Sequence, residues 1–189
     1  MSKRKVISSL EENPVIAAIK DDKGLEEAVK TDCNIIFILH SDIINVGQIV
    51  DKIKAHGKLA FVHIELLEGA SNQEVVLQFL NDYTNADGII STKAHMVRAA
   101  AKYGFYTIHR FFLIDSISFH SIDKQIANSQ PHFIEILPGG MSKVIGWVKD
   151  KISTPIIASG LVCEKEDVVT ALQAGAVAIS STNNEVWYM

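Results

Sequence analysis

The sequence predicts a compact α/β fold, a (β/α)8 TIM-like barrel with a truncated last helix. Three observations point there. Eight short apolar runs rich in β-branched residues recur along the 189 residues, the pattern of strands buried on both faces. Helical patterns separate the runs, and strand–helix alternation implies parallel pairing with right-handed crossovers. After the eighth run only "NNEVWYM" remains, which is too short for a full closing helix. The chain is correspondingly small for a fold that usually starts at about 200 residues. An open doubly wound sheet is the competing architecture. The pattern reads as one domain over residues 1–189.

The elements follow in order. "VIAAI" (15–19) is the first strand, and "KGLEEAVKT" a short first helix. "IIFILH" (35–40) is the second strand. The stretch "SDIINVGQIVDKIKAHG" after it offers Ser41 as an N-cap, Ile43, Val46, Val50 and Ile53 at helical spacing, and Gly57 as a stop. "LAFVHIE" (59–65) leads to the helix "SNQEVVLQFLNDY", and "GIIS" (88–91) to "TKAHMVRAAAKYG", capped at Thr92 and closed at Gly104. "YTIHRFFLI" (106–114) precedes "DSISFHSIDKQIANS". "FIEIL" (133–137) runs into a Pro-Gly-Gly turn and then "MSKVIGWVKDKI", with Val144, Ile145 and Val148 on one face. "PIIAS" (155–159) precedes "EKEDVVTALQAGA", whose first-turn acids suit the helix dipole. "AVAISS" (176–181) is the eighth strand.

Composition narrows the function classes. The chain is 48% hydrophobic, and its formal charge is 18 − 22 = −4. That balance gives no general attraction to nucleic acid or anionic lipid. Contact with RNA would need a local patch, and "KRK" (3–5) is the one basic run. No apolar segment follows that basic start as in a signal peptide. None approaches the ~18 residues that a membrane span needs. A cytoplasmic protein without a membrane partner is expected. Cys33 and Cys163 lack CxxC spacing and read as reduced thiols. No HxH or HExxH spacing points to a metal, and no motif points to a cofactor. The histidines read as structural or exposed, with His40 and His63 the two nearest the strand ends.

Barrel enzymes and binders place function at the C-terminal ends of the strands, with phosphate held by the loops after strands seven and eight. Those loops here carry Gly160 and Ser181-Thr182. Glycine admits close backbone approach, and hydroxyls and N–H groups donate to anionic oxygens. Lys93 and Arg110 add positive charge at the same rim. Arg110 suits a bidentate contact to phosphate, or an ion pair inside the barrel with Glu65 or Glu135. These two glutamates fit an acid/base pair, acceptors for ligand hydroxyls, or Mg²⁺ ligands. They fit equally as charge partners for Lys93 and Arg110, because a buried carboxylate must be paired. Gly139, in the turn after Glu135, releases the chain from the sheet and leaves room above it. On the residues alone, three functions stay open. One is a regulator that binds a phosphorylated polyol. Another is a sugar- or polyol-phosphate isomerase, aldolase or phosphodiesterase using Lys93 or the glutamates. The third is a barrel acting only through protein partners.

Taken together, "NPVIAAIKD", "FVHIELLEG", "ADGIISTK", "IHRFFLIDS", "FIEILPGGMSKVI", "PIIASGL" and "ALQAGAVAISST" resemble the glycerol uptake operon antiterminator regulatory proteins over nearly the whole chain. The resemblance implies a barrel-like fold, binding of glycerol 3-phosphate, and action on leader mRNA that prevents transcription termination in glycerol-utilisation genes. It implies no catalysis. Carried over position by position, the matching strand-end residues are Glu65, Lys93, Arg110, Glu135, Gly139, Gly160, Ser181 and Thr182. The chain departs from the family pattern at His109, Gly140 and Ser159. RNA contact by a chain of this charge would fall to another surface or to ligand-driven self-association, since barrels often form homo-oligomers.

Overall fold

A computed structural model describes residues 3–189, with side chains from Val6 onward. The basic run 3–5 lies outside the described side chains. The chain opens with α1 (Lys3–Glu12), β1 (Val15–Ile19), α2 (Asp22–Ala28), β2 (Ile35–Ile38), β3 (Ser41–Asp42) and α3 (Val46–Ala55). It continues through β4 (Leu59–His63), β5 (Leu67–Glu68), α4 (Val75–Tyr83), β6 (Gly88–Ser91) and α5 (Ala94–Lys102). β7 (Tyr106–Phe112), α6 (Ser116–Ser129), β8 (Phe133–Leu137) and α7 (Ser142–Lys149) follow. The last elements are β9 (Ile156–Ser159), α8 (Lys165–Gln173), β10 (Ala178–Ser181) and a 3-10 helix at Asn184–Tyr188.

Eight of these strands close a barrel in the order β1-β10-β9-β8-β7-β6-β4-β2, all neighbours parallel. The expected architecture is therefore present, with a short 3-10 helix in place of a full helix after the last strand. The open doubly wound sheet is not.

Strand alternation divides the core into two layers. Ile16, Phe37, Phe61, Ile108, Phe133 and Ile157 fill the barrel interior, while Ala17, Ile36, Val62, Ile134, Ala158 and Ile179 face the helices. Gly88 belongs to the inner layer because nothing larger fits. A Cβ there would lie 2.3 Å from a Phe61 ring carbon and 2.6 Å from the Tyr106 carbonyl. Gly88→Ala is accordingly expected to destabilise by about 1–3 kcal/mol, the usual cost of overpacking, measured by urea denaturation.

Two local expectations are corrected, and one element is new. Ser41 does not cap a helix. With Asp42 it pairs with Leu67–Glu68 in a two-stranded ribbon beside the barrel, and α3 starts five residues later. There the Asp42 carboxylate takes the N–H groups of Ile44 and Asn45. Thr92 also lies outside its helix, since Lys93 is the residue before α5 and no side chain caps it. The segment before β1, read only for its charge, forms α1, whose Val6 and Leu10 pack into the inner layer.

Candidate functional site

The parallel register sets Arg110 of β7 directly beside Glu135 of β8. Both follow inward-facing neighbours, Ile108 and Phe133, so both side chains enter the barrel near its C-terminal end. Arg110 Nε donates to Glu135 Oε2 at 2.5 Å, and Nη2 donates to Oε1 at 3.2 Å. Glu135 is fully buried and Arg110 nearly so. Of the two partners open to Arg110 from sequence, Glu135 is the one it takes. A guanidinium has five N–H donors, and this pair engages two of them.

Arg110 also forms one wall of a cavity of about 170 Å³ at the barrel mouth. The loops after β9 and β10 form the opposite wall, through Gly160, Leu161 and Thr182. Ser159 and Ser180 line it as well. Ser180 follows the inward Ala178 by two residues, so its hydroxyl points into the barrel; it is 1% exposed and Oγ has no hydrogen-bond partner. Gly160 takes φ +72°, a left-handed conformation that suits glycine, and turns the chain across the mouth. A second cavity of about 200 Å³ shares Ala18 and Thr182 with the first and carries Lys20 and Lys23.

The structure sorts the residues singled out from sequence. Arg110, Gly160 and Thr182 meet at the mouth cavity. Ser181 borders it, but its hydroxyl is turned toward the helix layer. There it donates to the Val162 carbonyl at 2.8 Å and accepts from Asn183 N–H at 3.1 Å. Glu135 lies behind Arg110 rather than on the cavity wall. Gly139 leaves no open space above it: its N–H donates to the carbonyls of Ser159 and Gly160, and a Cβ would sit 2.4 Å from Ser159 N. The turn glycines thus let β8 press on the end of β9.

Glu65 and Lys93 sit apart from that cavity. Glu65 falls in a 3-10 turn after β4. It accepts from the Ser91 hydroxyl at 2.5 Å and Thr92 N–H at 3.4 Å, so its partner is a hydroxyl and not Lys93. Lys93 N–H donates to the same Ser91 oxygen. His63 approaches Glu65 to 3.4 Å, but without hydrogen-bond geometry at Nδ1. Burial, and then the Arg110 charge, push the His63 pKa down to about 3. The ring is neutral near pH 7, so this contact is not an ion pair. His109 faces outward, with Nδ1 2.9 Å from Ser129 Oγ and Nε2 3.3 Å from the Thr92 carbonyl. His40 is exposed. Among the described residues, no three His, Cys, Asp or Glu side chains gather to hold a metal.

Sequence reasoning puts Ser159 and Ser180 at strand ends without choosing them as ligand-binding residues, and it misses Lys20 and Lys23 of the second cavity. For the serines the alternation of the strand settles the facing once the inward side is known from Ala178 and Ile157, which the apolar start of both faces does not give from sequence.

Comparison with known proteins adds the identity of the fold's relatives. Residues 15–187 match the model of the glycerol-3-phosphate responsive antiterminator family. The chain belongs to this family. The chain is also 58% identical over 178 residues to the uncharacterized protein YgcP of Escherichia coli, covering 94% of this chain and 93% of that one. The glycerol uptake operon antiterminator regulatory protein of Listeria monocytogenes superposes with a TM-score of 0.89 at 28% identity, over 93% of this chain and 95% of that one. An antiterminator-related protein from Thermotoga maritima gives 0.82 at 30% identity, over 93% and 98%. Of these relatives, the Listeria protein is named as a regulatory protein. Orotidine 5'-phosphate decarboxylase from Pyrococcus horikoshii, at 17% identity and a TM-score of 0.68, shares the fold alone. No helix among the described residues is long and apolar enough to cross a membrane.

Proposed function

We propose that this chain is a cytoplasmic transcription antiterminator that binds glycerol 3-phosphate at the barrel mouth and acts on leader mRNA. The observation carrying this reading is the pairing of charge and unmet polarity on one small cavity. Arg110 brings guanidinium donors beyond those held by Glu135. Ser180 brings a buried hydroxyl without a partner, an arrangement that costs about 1–3 kcal/mol until something supplies the bond. A phosphorylated polyol supplies both needs, with its phosphate toward Arg110 and the Gly160 loop and a hydroxyl on Ser180. A volume near 170 Å³ suits a three-carbon phosphate better than a nucleotide. Glu135 acts through Arg110, holding its guanidinium in place. Thr182 completes the rim, Ser181 and Gly139 brace the Gly160 side of the wall, and Glu65 and Lys93, held on Ser91 apart from the cavity, make no direct contact with the ligand. Binding without turnover fits this arrangement, because both carboxylates are already engaged and Lys93 does not line the cavity.

Calorimetry tests the ligand. Glycerol 3-phosphate is expected to bind more tightly than glycerol or inorganic phosphate. Ser180→Val should weaken it at least about tenfold, roughly 1.4 kcal/mol, while leaving thermal stability unchanged or higher, since the unpartnered hydroxyl is gone. Absence of binding by all three compounds would reject the site. The switch is tested by leader-RNA affinity at fixed salt with and without ligand. Equal affinities would reject it, because a ligand moves an equilibrium only by its differential affinity for the two states.

A further inference from the structure

The outer helical layer is incomplete in one quadrant. α6 has 14 residues yet buries only Ile122 and Ser129, and α7 buries only Ile145 and Val148. In contrast, α3, with 10 residues, and α5, with 9, bury four residues each. Between α6 and α7 lies an open groove of about 700 Å³ walled by Leu113, Ile114, Phe119, Met141, Val144 and Trp147. Ile114 is 81% exposed and Trp147 49%. Single exposed apolar residues are ordinary, but a contiguous set on adjacent elements marks an interaction surface.

The charges around the groove select the occupant. Lys143 lies over the Trp147 ring at 5.1 Å and Lys151 over the Phe119 ring at 4.4 Å. Asp115 and Asp150 line the groove, and Asp123 stands 3.9 Å from Lys151. Two lysines against three aspartates leave 2 − 3 = −1. A nucleic acid needs an excess of positive charge, so RNA is disfavoured here. A twofold interface, in contrast, is self-complementary. It needs both signs around one apolar centre, so that the lysines of one copy meet the aspartates of the other. Half-exposed Trp147, stacked edge-on against Phe119 at 6.0 Å, is the kind of aromatic anchor on which such interfaces concentrate.

The groove is also joined to the barrel mouth by backbone hydrogen bonds. Leu113, in the groove, donates its N–H to the carbonyl of Leu137, on the mouth cavity, at 2.8 Å. Gly139 N–H donates to the carbonyl of Gly160 at 2.8 Å, and Met141 two residues later is a groove residue.

We propose that the α6–α7 face is an interface between two copies of this chain, and that occupancy of the barrel mouth shifts their association. The second clause rests on the mouth binding glycerol 3-phosphate; the first does not.

Sedimentation equilibrium on the full chain tests both parts. The wild type is expected to dimerise reversibly. Trp147→Glu and Ile114→Lys should each be monomeric at concentrations where the wild type is dimeric, with unfolding temperatures close to wild type. Val169→Glu, at an exposed apolar position on α8, should remain dimeric. A wild type that stays monomeric to about 100 μM, or a dimer that survives both groove substitutions, overturns the interface. So does a loss of leader-RNA affinity in Trp147→Glu with unchanged sedimentation, which would make the groove an RNA surface. Saturating glycerol 3-phosphate is expected to change the dimer dissociation constant about fivefold or more, the range of ordinary allosteric coupling. Ligand that binds by calorimetry yet leaves that constant unchanged overturns the coupling. Ligand that does not bind overturns the mouth reading and the coupling together, while the interface stands or falls on sedimentation alone.

Discussion

Replacing Glu135 with alanine is expected to lower the unfolding free energy by about 3–5 kcal/mol, because it leaves a buried charge without its counterpart. Arg110 is 8% exposed and Glu135 wholly buried, so neither has ready access to water. The bidentate geometry means that two hydrogen bonds vanish with the carboxylate. Urea denaturation at neutral pH gives the number. A decrease below about 1 kcal/mol, the range of solvent-exposed pairs, would show that the pair is effectively hydrated. The double variant Arg110→Met/Glu135→Leu separates stability from binding. Apolar replacement of both members of a buried pair is often neutral or stabilising, so most of the loss should be recovered. Affinity for glycerol 3-phosphate should not be, since the guanidinium is absent.

Acidification is expected to destabilise the protein steeply, beginning well above the usual carboxylate range. Burial, and then the Arg110 charge, hold the His63 pKa at about 3 in the fold. Burial holds that of His109 at about 4, against the hydrogen bond from its ring to the Thr92 carbonyl. In the unfolded chain both return to about 6.5. Between these values the unfolded state carries protons that the native state refuses, so stability rises with pH there. The contribution is complete above about pH 6.5 and declines as pH falls toward 4. Each histidine gives a slope of about 1.4 kcal/mol per pH unit within that window. Unfolding free energies at pH 7, 6 and 5 should therefore fall by several kcal/mol, and His63→Gln should remove roughly half of the slope. A flat profile across this range would show that both rings are solvated in the native state.

The strands were legible because the barrel constrains them twice. "VIAAI", "GIIS" and "FIEIL" coincide with β1, β6 and β8 residue for residue. Helices cover one face of each strand and the inner side-chain layer fills the other, which leaves little but β-branched and small apolar choices. The site was less legible, because it depends on which side of a strand faces inward and on register between strands. In "AVAISS" both faces begin apolar, so the local pattern does not choose between Ser180 and Ser181. The structure turns Ser180 inward, and Ser181 bonds the Val162 carbonyl. The partner of Arg110 is likewise a matter of register between β7 and β8, which neither strand's own residues state. Gly139 reads locally as a turn residue, yet its reason is the backbone of β9, 20 positions away at Ser159. Ser41 illustrates a different limit: the same small hydroxyl residue serves helix caps and strand ends alike.

The position of α1 has a consequence for ligand traffic. Val6 and Leu10 press against the inner layer beside Leu59 and Phe133, stoppering the base of the barrel. A ligand bound as proposed then enters and departs at the mouth, under the loops that carry Gly160 and Thr182. Residence time is then governed by how readily those loops part, so substitutions there can alter how long a signal lasts without altering how strongly it is felt.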